Sequence, residues 1–442
     1  MNKSLEIFDT IRSYQQQGVK FLIERDSALL ADEMGLGKTV QTAVAINILF
    51  QSRKINNALI VCPSPLGTNW QNELNKWAPS LVSKIISGNE GERRAHYMLP
   101  YNIWIVSYDL VRRDIHFLRN KKYDLIVLDE AQRIKNRNST VNLACRLLER
   151  KIAWALSGTP IENHPKEMVS LFLFIKPGLL KLIVGFKQIR KEIAPYYLRR
   201  KKAEVLSQMP KIIYQDLELE MCSTQRKVYD EVLSDSRKFI YDNHESLKAY
   251  HVFGQINNLK KICNLESQSM ESCKMDALKV IFQEIREGKD KVLIFSQYVK
   301  TLELIEEAID CNRTNIFHGG LDISKKDSIV QNFEETDGPQ TLLMSIKAGG
   351  VGLNLGSASL VILFDRWWNP SVEDQAIQRA HRFGRKKPLH VVRMLVRNSI
   401  EMRINDILIS KRKLFESFVE EGAMAEVGGL SKKELLKIIL SN

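Results

Sequence analysis

With 442 residues and 44% hydrophobic side chains, the chain is too long for one ordinary core and apolar enough for two or three domains, so burial does not limit folding. Lys and Arg outnumber Asp and Glu by 65 to 52, a formal charge of +13 that favours a polyanionic partner such as nucleic acid or an anionic membrane, although a basic soluble protein without such a partner is equally compatible with it. The six cysteines, Cys62, Cys145, Cys222, Cys263, Cys273 and Cys311, lie far apart with no C-x-x-C pair, which argues against a disulfide framework and a structural zinc site, and no apolar run reaches the ~18 residues of a membrane span.

The first residues, MNKSLEIFDT, lack the basic region and apolar stretch of a signal peptide, so an intracellular, soluble protein is expected: cytoplasm or nucleoid in a bacterium or phage, nucleus or viral factory otherwise. From residue 28 to about 160, short apolar runs alternate with helical stretches: ALLA, NALIVC, NIWIVS, YDLIVLD and IAWALSG. Each is rich in Ile, Leu and Val and ends in polar or glycine residues, as buried parallel strands do. The first run leads into ALLADEMGLGKTV, where Gly37, Lys38 and Thr39 complete the end of the phosphate-binding signature G-x-x-x-x-G-K-[ST] while Asp32 occupies the place of its first glycine. A strand, a loop holding Gly35 and Gly37, and a helix starting near Lys38 form a cradle of backbone N–H groups for phosphate; Lys38 is expected to reach the β and γ phosphates and Thr39 to ligate magnesium. The fourth run delivers Asp129 and Glu130 to the carboxyl edge of the sheet, the first suited to magnesium and the second to polarising the attacking water.

The strand pattern stops after Pro160, and residues 164 to 272 read as helical and polar. It resumes with KVLIFS, NIFHGG, TLLMS, LVILFD and LHVVRMLV, giving two α/β lobes with helical insertions between them. The loop SIKAGGVGLNL follows a buried run, and its glycines either present N–H groups to a phosphate oxygen or make a tight turn. In SVEDQAIQRAHRFGR, Gln375, Gln378, Arg379 and Arg382 fall at i, i+3, i+4 and i+7, one face of a helix that by itself reads as a solvated surface sooner than as a site. Trp367 reads as core, Trp368 stays open as a residue near DNA, and the histidines, His318 and His381 among them, lack metal-ligand spacing. The basic clusters at Arg199 to Lys202, Arg385 to Lys387 and Lys411 to Lys413 are short and dispersed, as a groove would have them.

The strings ADEMGLGKT, DEAQ and LSGTPIEN resemble the Swi/Snf family of ATP-dependent DNA translocases within helicase superfamily two, in which the acidic residue in place of the first glycine is usual. IRSYQQQGVKFL, LIVCPSPLGTNWQNELNKW, YYLRRKKAEV, VLIFSQY, MSIKAGGVGLNL, DRWWNPSVEDQAIQRAHRFGR and SIEMRI resemble further motifs of that family in the expected order, so the likeness covers almost the whole chain. It implies two RecA-like parallel-sheet lobes: 1–205 as the ATP-binding lobe with a short helical protrusion near 164–198, 206–272 as a helical linker, and 273–442 as the helicase C-terminal lobe with brace helices. It implies that Gln15 reads adenine, that Asp32, Gly35, Gly37, Lys38, Thr39, Gly350 and Gln375 belong to the nucleotide site, and that Arg379 and Arg382 act as arginine fingers. Ser64, Ser107, Thr159, Lys347, Gly349 and Trp368 are the implied DNA contacts.

Two features depart from the family pattern: Arg385 stands where glutamine is common, and the segment between GTPIEN and YYLRR is short for the first protrusion. No chromatin-reading module flanks the core, so a minimal motor is expected. The resulting expectation is a monomeric ATPase, using ATP and Mg2+, that tracks along double-stranded DNA without separating it and displaces or remodels a DNA-bound protein, with a recruiting subunit as a possible partner and no membrane association. A strand-separating DNA or RNA helicase and a nucleotide-gated scaffold are the rival readings. The short connection between GLNL and WWNPSVEDQ leaves little room for a separating hairpin, and intact Lys38, Glu130, Arg379 and Arg382 speak against a scaffold.

Overall fold

The computed structural model describes residues 7–158, 165–180, 186–205, 210–243, 246–266, 269–285, 290–309, 313–349, 353, 355–367, 370–382, 385, 387–421 and 432–440. Among them the chain divides into two compact units, the first running to Ser207 and the second beginning at Gln208.

The first unit is built on a parallel sheet of seven strands: β1 (Ser27–Leu30), β2 (Ala58–Cys62), β3 (Ser83–Ile85), β4 (Ile103–Ser107), β5 (Lys122–Leu128), β6 (Glu149–Leu156) and β7 (Tyr197–Leu198), in the order β3-β4-β2-β5-β6-β1-β7. The central strands β2, β4 and β5 are buried along nearly their whole length, because helices cover both faces of a parallel sheet and each side chain meets apolar neighbours. The helices Pro165–Ile175 and Phe186–Ile193, expected as a protrusion, instead contribute Met168, Leu171, Phe172, Phe174 and Ile189 to the main core of this unit. After them β7 pairs with β1 and closes the sheet.

The second unit is a parallel sheet of six strands: β8 (Ile212–Leu219), β9 (Lys291–Ser296), β10 (Thr314–Phe317), β11 (Gln340–Ser345), β12 (Leu360–Leu363) and β13 (Leu389–Val396), in the order β10-β11-β9-β12-β13-β8. The segment 206–272, expected as a helical linker, opens with β8, which pairs along its full length with β13. Its helices Ser223–Asp242 and Ala249–Asn264 then pack with Ile400–Glu421 and Lys432–Leu440 through Tyr229, Ile256, Leu259, Ile404, Leu435 and Ile438. That segment is therefore part of the second unit's core.

A network of charges lies inside this unit. Lys274 donates to Glu401 at 2.7 Å with both side chains wholly buried, and it also donates to Asn264 and to the Phe364 carbonyl. Asp365 accepts from Asn264, Ser296 and the Gln297 N–H, and Arg366 makes a double contact with Glu373. Each buried charge in it has a partner, which is the condition for keeping ions inside a core. No helix among the described residues is long and apolar enough to cross a membrane.

Candidate nucleotide-binding site

Three neighbouring strands of the first sheet, β5, β6 and β1, bring their carboxyl ends side by side, and each leads directly into residues that the site uses. β1 leads into the phosphate loop. Gly35 (φ +84°) and Gly37 (φ +73°) are left-handed, a conformation costly for any residue with a β-carbon. At Gly37 a β-carbon would also lie 2.5 Å from the Gln15 amide nitrogen, so a side chain there would displace Gln15 from the loop. Gly37 caps the helix Lys38–Gln51, whose first N–H groups have no intrahelical partner and open toward an anion. The Lys38 ammonium donates to the Asp32 carbonyl at 2.7 Å and to the Glu33 carbonyl at 3.5 Å, spanning the loop from its far end.

β5 delivers Asp129, 7% exposed, and Glu130. Asp129 Oδ2 accepts from the Trp70 indole at 2.8 Å, Oδ1 accepts from the Glu130 N–H at 2.8 Å, and its carbonyl accepts from the Tyr108 hydroxyl at 2.7 Å. Burial, followed by the adjacent Glu130 charge, pushes the Asp129 carboxyl up to about 6, against the pull of Trp70 and Lys38. A carboxylate whose charge is disfavoured by its surroundings and which faces a second carboxylate is a fitting ligand for a hard cation, and the Thr39 hydroxyl is the oxygen donor at the helix start that would join it. Cys62, at the end of the neighbouring strand β2, has its thiol raised by burial and then by Asp129, so it stays neutral.

Glu130 takes φ +50° and ψ +51°, an uncommon conformation for a residue with a side chain. Its Oε2 accepts from the Gln132 amide at 2.6 Å, and the Gln132 Oε1 accepts from the Ser157 hydroxyl at 2.8 Å. Ser157 follows β6, which lies between β5 and β1, and its N–H donates to the Leu30 carbonyl of β1. The next residue, Gly158, sits so close to Met34 that a β-carbon would lie 2.5 Å from its Cγ, and 3.5 Å from the Lys38 ammonium. Carboxylate, relay and phosphate loop thus meet at one edge.

Sequence-expected residues fall as follows. Gln15 is brought to the closing end of the loop, its amide donating to the Leu36 carbonyl at 3.4 Å, and Gly35, Gly37, Lys38, Thr39, Asp129 and Glu130 assemble with it. The Asp32 side chain, expected among the nucleotide ligands, is instead completely buried and paired with Arg200, which corrects its place to a supporting one. Ser64 is exposed at the start of a short 3-10 turn, and Ser107 caps the helix Tyr108–Arg113 through its hydroxyl, which accepts from the Leu110 N–H. Both line a cleft of about 270 Å³ with Ser87, Asp109 and Arg113 at the carboxyl edge of β2 and β4.

In the second unit the helix Pro370–Ala380 carries Gln375, Gln378 and a buried Arg379, but it stops before Arg382, which follows His381 in irregular chain. The four-residue face is therefore three residues long; His381 breaks away to bond the Pro210 carbonyl with its ring Nε2. Gly349 ends the short helix Ile346–Gly349 that contains Lys347. Thr159, Gly350 and Trp368 lie outside the described residues. Trp367 packs against the apolar clusters on both sides of it, as core. Trp70, Gln132, Ser157 and Arg200 were not singled out from the sequence, although DEAQ, LSGT and YYLRRKK contain three of them.

Two all-parallel RecA-like lobes, the first with a phosphate loop, an acidic pair whose Glu130 takes a positive φ and a lysine at one sheet edge, define a two-lobed nucleotide-binding protein of the P-loop class. The chain belongs to the SNF2-related family: the family model "SNF2-related domain" matches residues 14–268, and "Helicase conserved C-terminal domain" matches residues 273–384. It is 34% identical over 97% of its length to the "Uncharacterized ATP-dependent helicase MG018" of Mycoplasma genitalium, covering 44% of that protein. It is 31% identical over 97% of its length to the "Putative ATP-dependent helicase/translocase YwqA" of Bacillus subtilis, covering 51% of it. The chain thus spans about half the length of these relatives. Among solved structures it is similar to the "Sulfolobus solfataricus SWI2/SNF2 ATPase core in complex with dsDNA", at 28% identity and a TM-score of 0.46, covering 98% of this chain and 97% of that one.

Proposed function

We propose that the chain is a DNA-dependent ATPase that moves along double-stranded DNA and remodels or displaces bound protein without separating the strands. The observation that carries the reading is the assembly at the ends of β5, β6 and β1, where Glu130 is held by Gln132 and Ser157 beside a phosphate loop closed by Lys38. In this reading Lys38 binds the β and γ phosphates, and the N–H groups of the loop and helix start cradle them. Gln15 orients the base. Glu130 aligns the attacking water and accepts its proton, while Gln132 and Ser157 fix the carboxylate in place. Thr39 and Asp129 would hold Mg2+, which when bound neutralises phosphate charge.

Arg379 and Arg382 are assigned to the negative charge that spreads over the equatorial oxygens during phosphoryl transfer, with Gln375 and Gly350 as further nucleotide contacts. Ser64 and Ser107, with Arg113 beside them, are assigned to DNA phosphates, as are Thr159, Lys347, Gly349 and Trp368 by family likeness. A duplex track is supported by membership of the SNF2-related family, by the name of one relative as a helicase/translocase, and by the excess of basic residues. The experiment is phosphate release measured with no nucleic acid, duplex DNA, single-stranded DNA and RNA. Duplex DNA should stimulate hydrolysis most, and a preference for single strands or RNA would point to a strand-separating enzyme.

A further inference from the structure

Asp32 stands where the phosphate-binding signature has its first glycine, and the chemistry above gives its side chain no part. The carboxylate is completely buried, and Arg200 reaches it from 168 residues away, Nε donating to Oδ1 at 2.9 Å and Nη2 donating to Oδ2 at 2.5 Å. Gln41, also completely buried, donates to Asp32 Oδ2 at 3.1 Å and to the Leu36 carbonyl at 3.1 Å, while its Oε1 accepts from Arg200 Nη2 at 2.8 Å. Arg200 Nη1 donates to the Tyr14 carbonyl, and the guanidinium lies 5.5 Å from the centre of the Tyr14 ring.

The space for this cluster comes from Gly18, inside the helix Ser13–Ile23. A β-carbon there would lie 1.7 Å from Gln41 Oε1 and 2.8 Å from Arg200 Nη2. Glycine is a poor residue for a helix interior, so its presence at this point answers to the cluster it makes room for. The backbone repeats the connection: the Ala31 N–H donates to the Leu198 carbonyl at 2.7 Å, the Glu33 N–H to the Arg200 carbonyl at 3.0 Å, and the Lys202 N–H to the Glu33 carboxylate at 2.8 Å. Within the loop, positive φ falls on Gly35 and Gly37 and not on Asp32, so this position has no conformational need of glycine.

We propose that Arg200 is a positioning residue of the nucleotide site, and that the acid at position 32 is its required partner rather than a tolerated departure from the signature. Through Asp32 it holds the entrance of the phosphate loop, whose carbonyl in turn receives Lys38. Through Gln41 it ties that entrance to the helix following the loop, and through Tyr14 to the helix bearing Gln15. A buried, fully bonded ion pair fixes geometry where an apolar contact would allow sliding. Arg200 therefore sets ATP affinity without touching ATP. The inference rests on the ATP reading given above.

The test begins with Asp32→Gly, which restores the first glycine and leaves Arg200 without its carboxylate. If only the signature matters, ATP binding is unchanged or improved; if Arg200 positions the loop, KM for ATP rises roughly tenfold or more while kcat at saturating ATP falls much less. Loss of half a buried pair can unfold a lobe, so Asp32→Asn combined with Arg200→Gln is measured beside it, with similar bulk and no charge, and with thermal melting to establish the fold. Arg200→Lys keeps the charge but not the planar fork, and its KM should fall between the wild type and the double variant. Equilibrium binding of a fluorescent ATP analogue, which needs no turnover, separates the two levels of the argument. Wild-type affinity in Asp32→Gly or in the folded double variant overturns the role of Arg200; a wild-type protein that binds the analogue but never hydrolyses ATP overturns the proposed activity alone.

Discussion

Glu130 sits at φ +50°, ψ +51°, where a residue with a side chain is destabilised by about 1–2 kcal/mol relative to the right-handed region. The surroundings over-determine that conformation: its N–H donates to Asp129, and its carboxylate accepts from Gln132, which Ser157 holds in turn. Backbone strain of this kind accumulates where a side chain must be aimed. Glu130→Gln keeps the shape and the hydrogen bonding but cannot take a proton from water, so it should bind ATP at near-native affinity and turn over at least ~10²-fold more slowly. Lys38→Ala should lose both binding and turnover, since the charge that meets the phosphates is gone. Native turnover by the Glu130→Gln protein, measured as phosphate release beside its nucleotide affinity, would remove Glu130 from the role of base. These residues were legible because each stands within a few positions of a buried run that announces it. Arg200 was not, because its partners Asp32 and Gln41 are 168 and 159 residues away and nothing local in YYLRRKK names them.

At the scale of elements, the strands missed in the sequence are β3, β7 and β8, and each lies at the edge of its sheet. A central parallel strand is buried on both faces and reads as an unbroken apolar run. β8 is exposed along much of its length and its IIYQDLEL mixes apolar with charged and amide residues, so it lacks the unbroken apolar run of a central strand and the segment reads from sequence as a helical linker. The helix Pro370–Ala380 shows the opposite case, an element legible by its spacing whose support was not. Glu373 in its first turn accepts from Arg366 Nε and Nη2 at 2.9 Å each and from the Trp367 N–H at 2.7 Å, and Arg366 also bonds Asn405 of the helix Ile400–Glu421. Both charged side chains are 2% exposed. Arg366→Ala should therefore cost about 3–5 kcal/mol of stability, seen as a lowered melting temperature, because Glu373 is left buried and unpaired. Arg366→Met with Glu373→Leu should recover most of that stability, as apolar replacement of a buried pair often does. If the pair serves to aim Arg379 and its neighbours, DNA-stimulated kcat in the double variant should remain roughly tenfold or more below native while KM for ATP is unchanged. Full recovery of kcat with stability would show that the helix needs no such bolt.

At the scale of the whole molecule, Lys38, Asp129 and Glu130 belong to the first unit and Arg379 and Arg382 to the second. If, as proposed, one reaction uses both sets, hydrolysis depends on both units, and a charged track that favours the competent state will stimulate it. An excess of 13 positive charges suits a track held through its phosphates, which carries little sequence information and releases counterions on binding. Duplex affinity should then fall steeply with salt and vary little with sequence. Separating the strands would need an element that intrudes between them, and the described residues from Leu355 to Trp367, where the sequence offers little room for one, carry β12 and its flanking turns. A duplex tracker pushes aside whatever occupies its path, so an ATP-driven run should displace a third strand from a triplex, read as release of a labelled oligonucleotide. The same protein, under matching salt and nucleotide, should leave a forked duplex intact if, as proposed, it holds the duplex as a unit and does not part its strands. Efficient ATP-dependent separation of the fork without release of the third strand would replace the translocase with a helicase, and it would do so without altering the assignment of the nucleotide site.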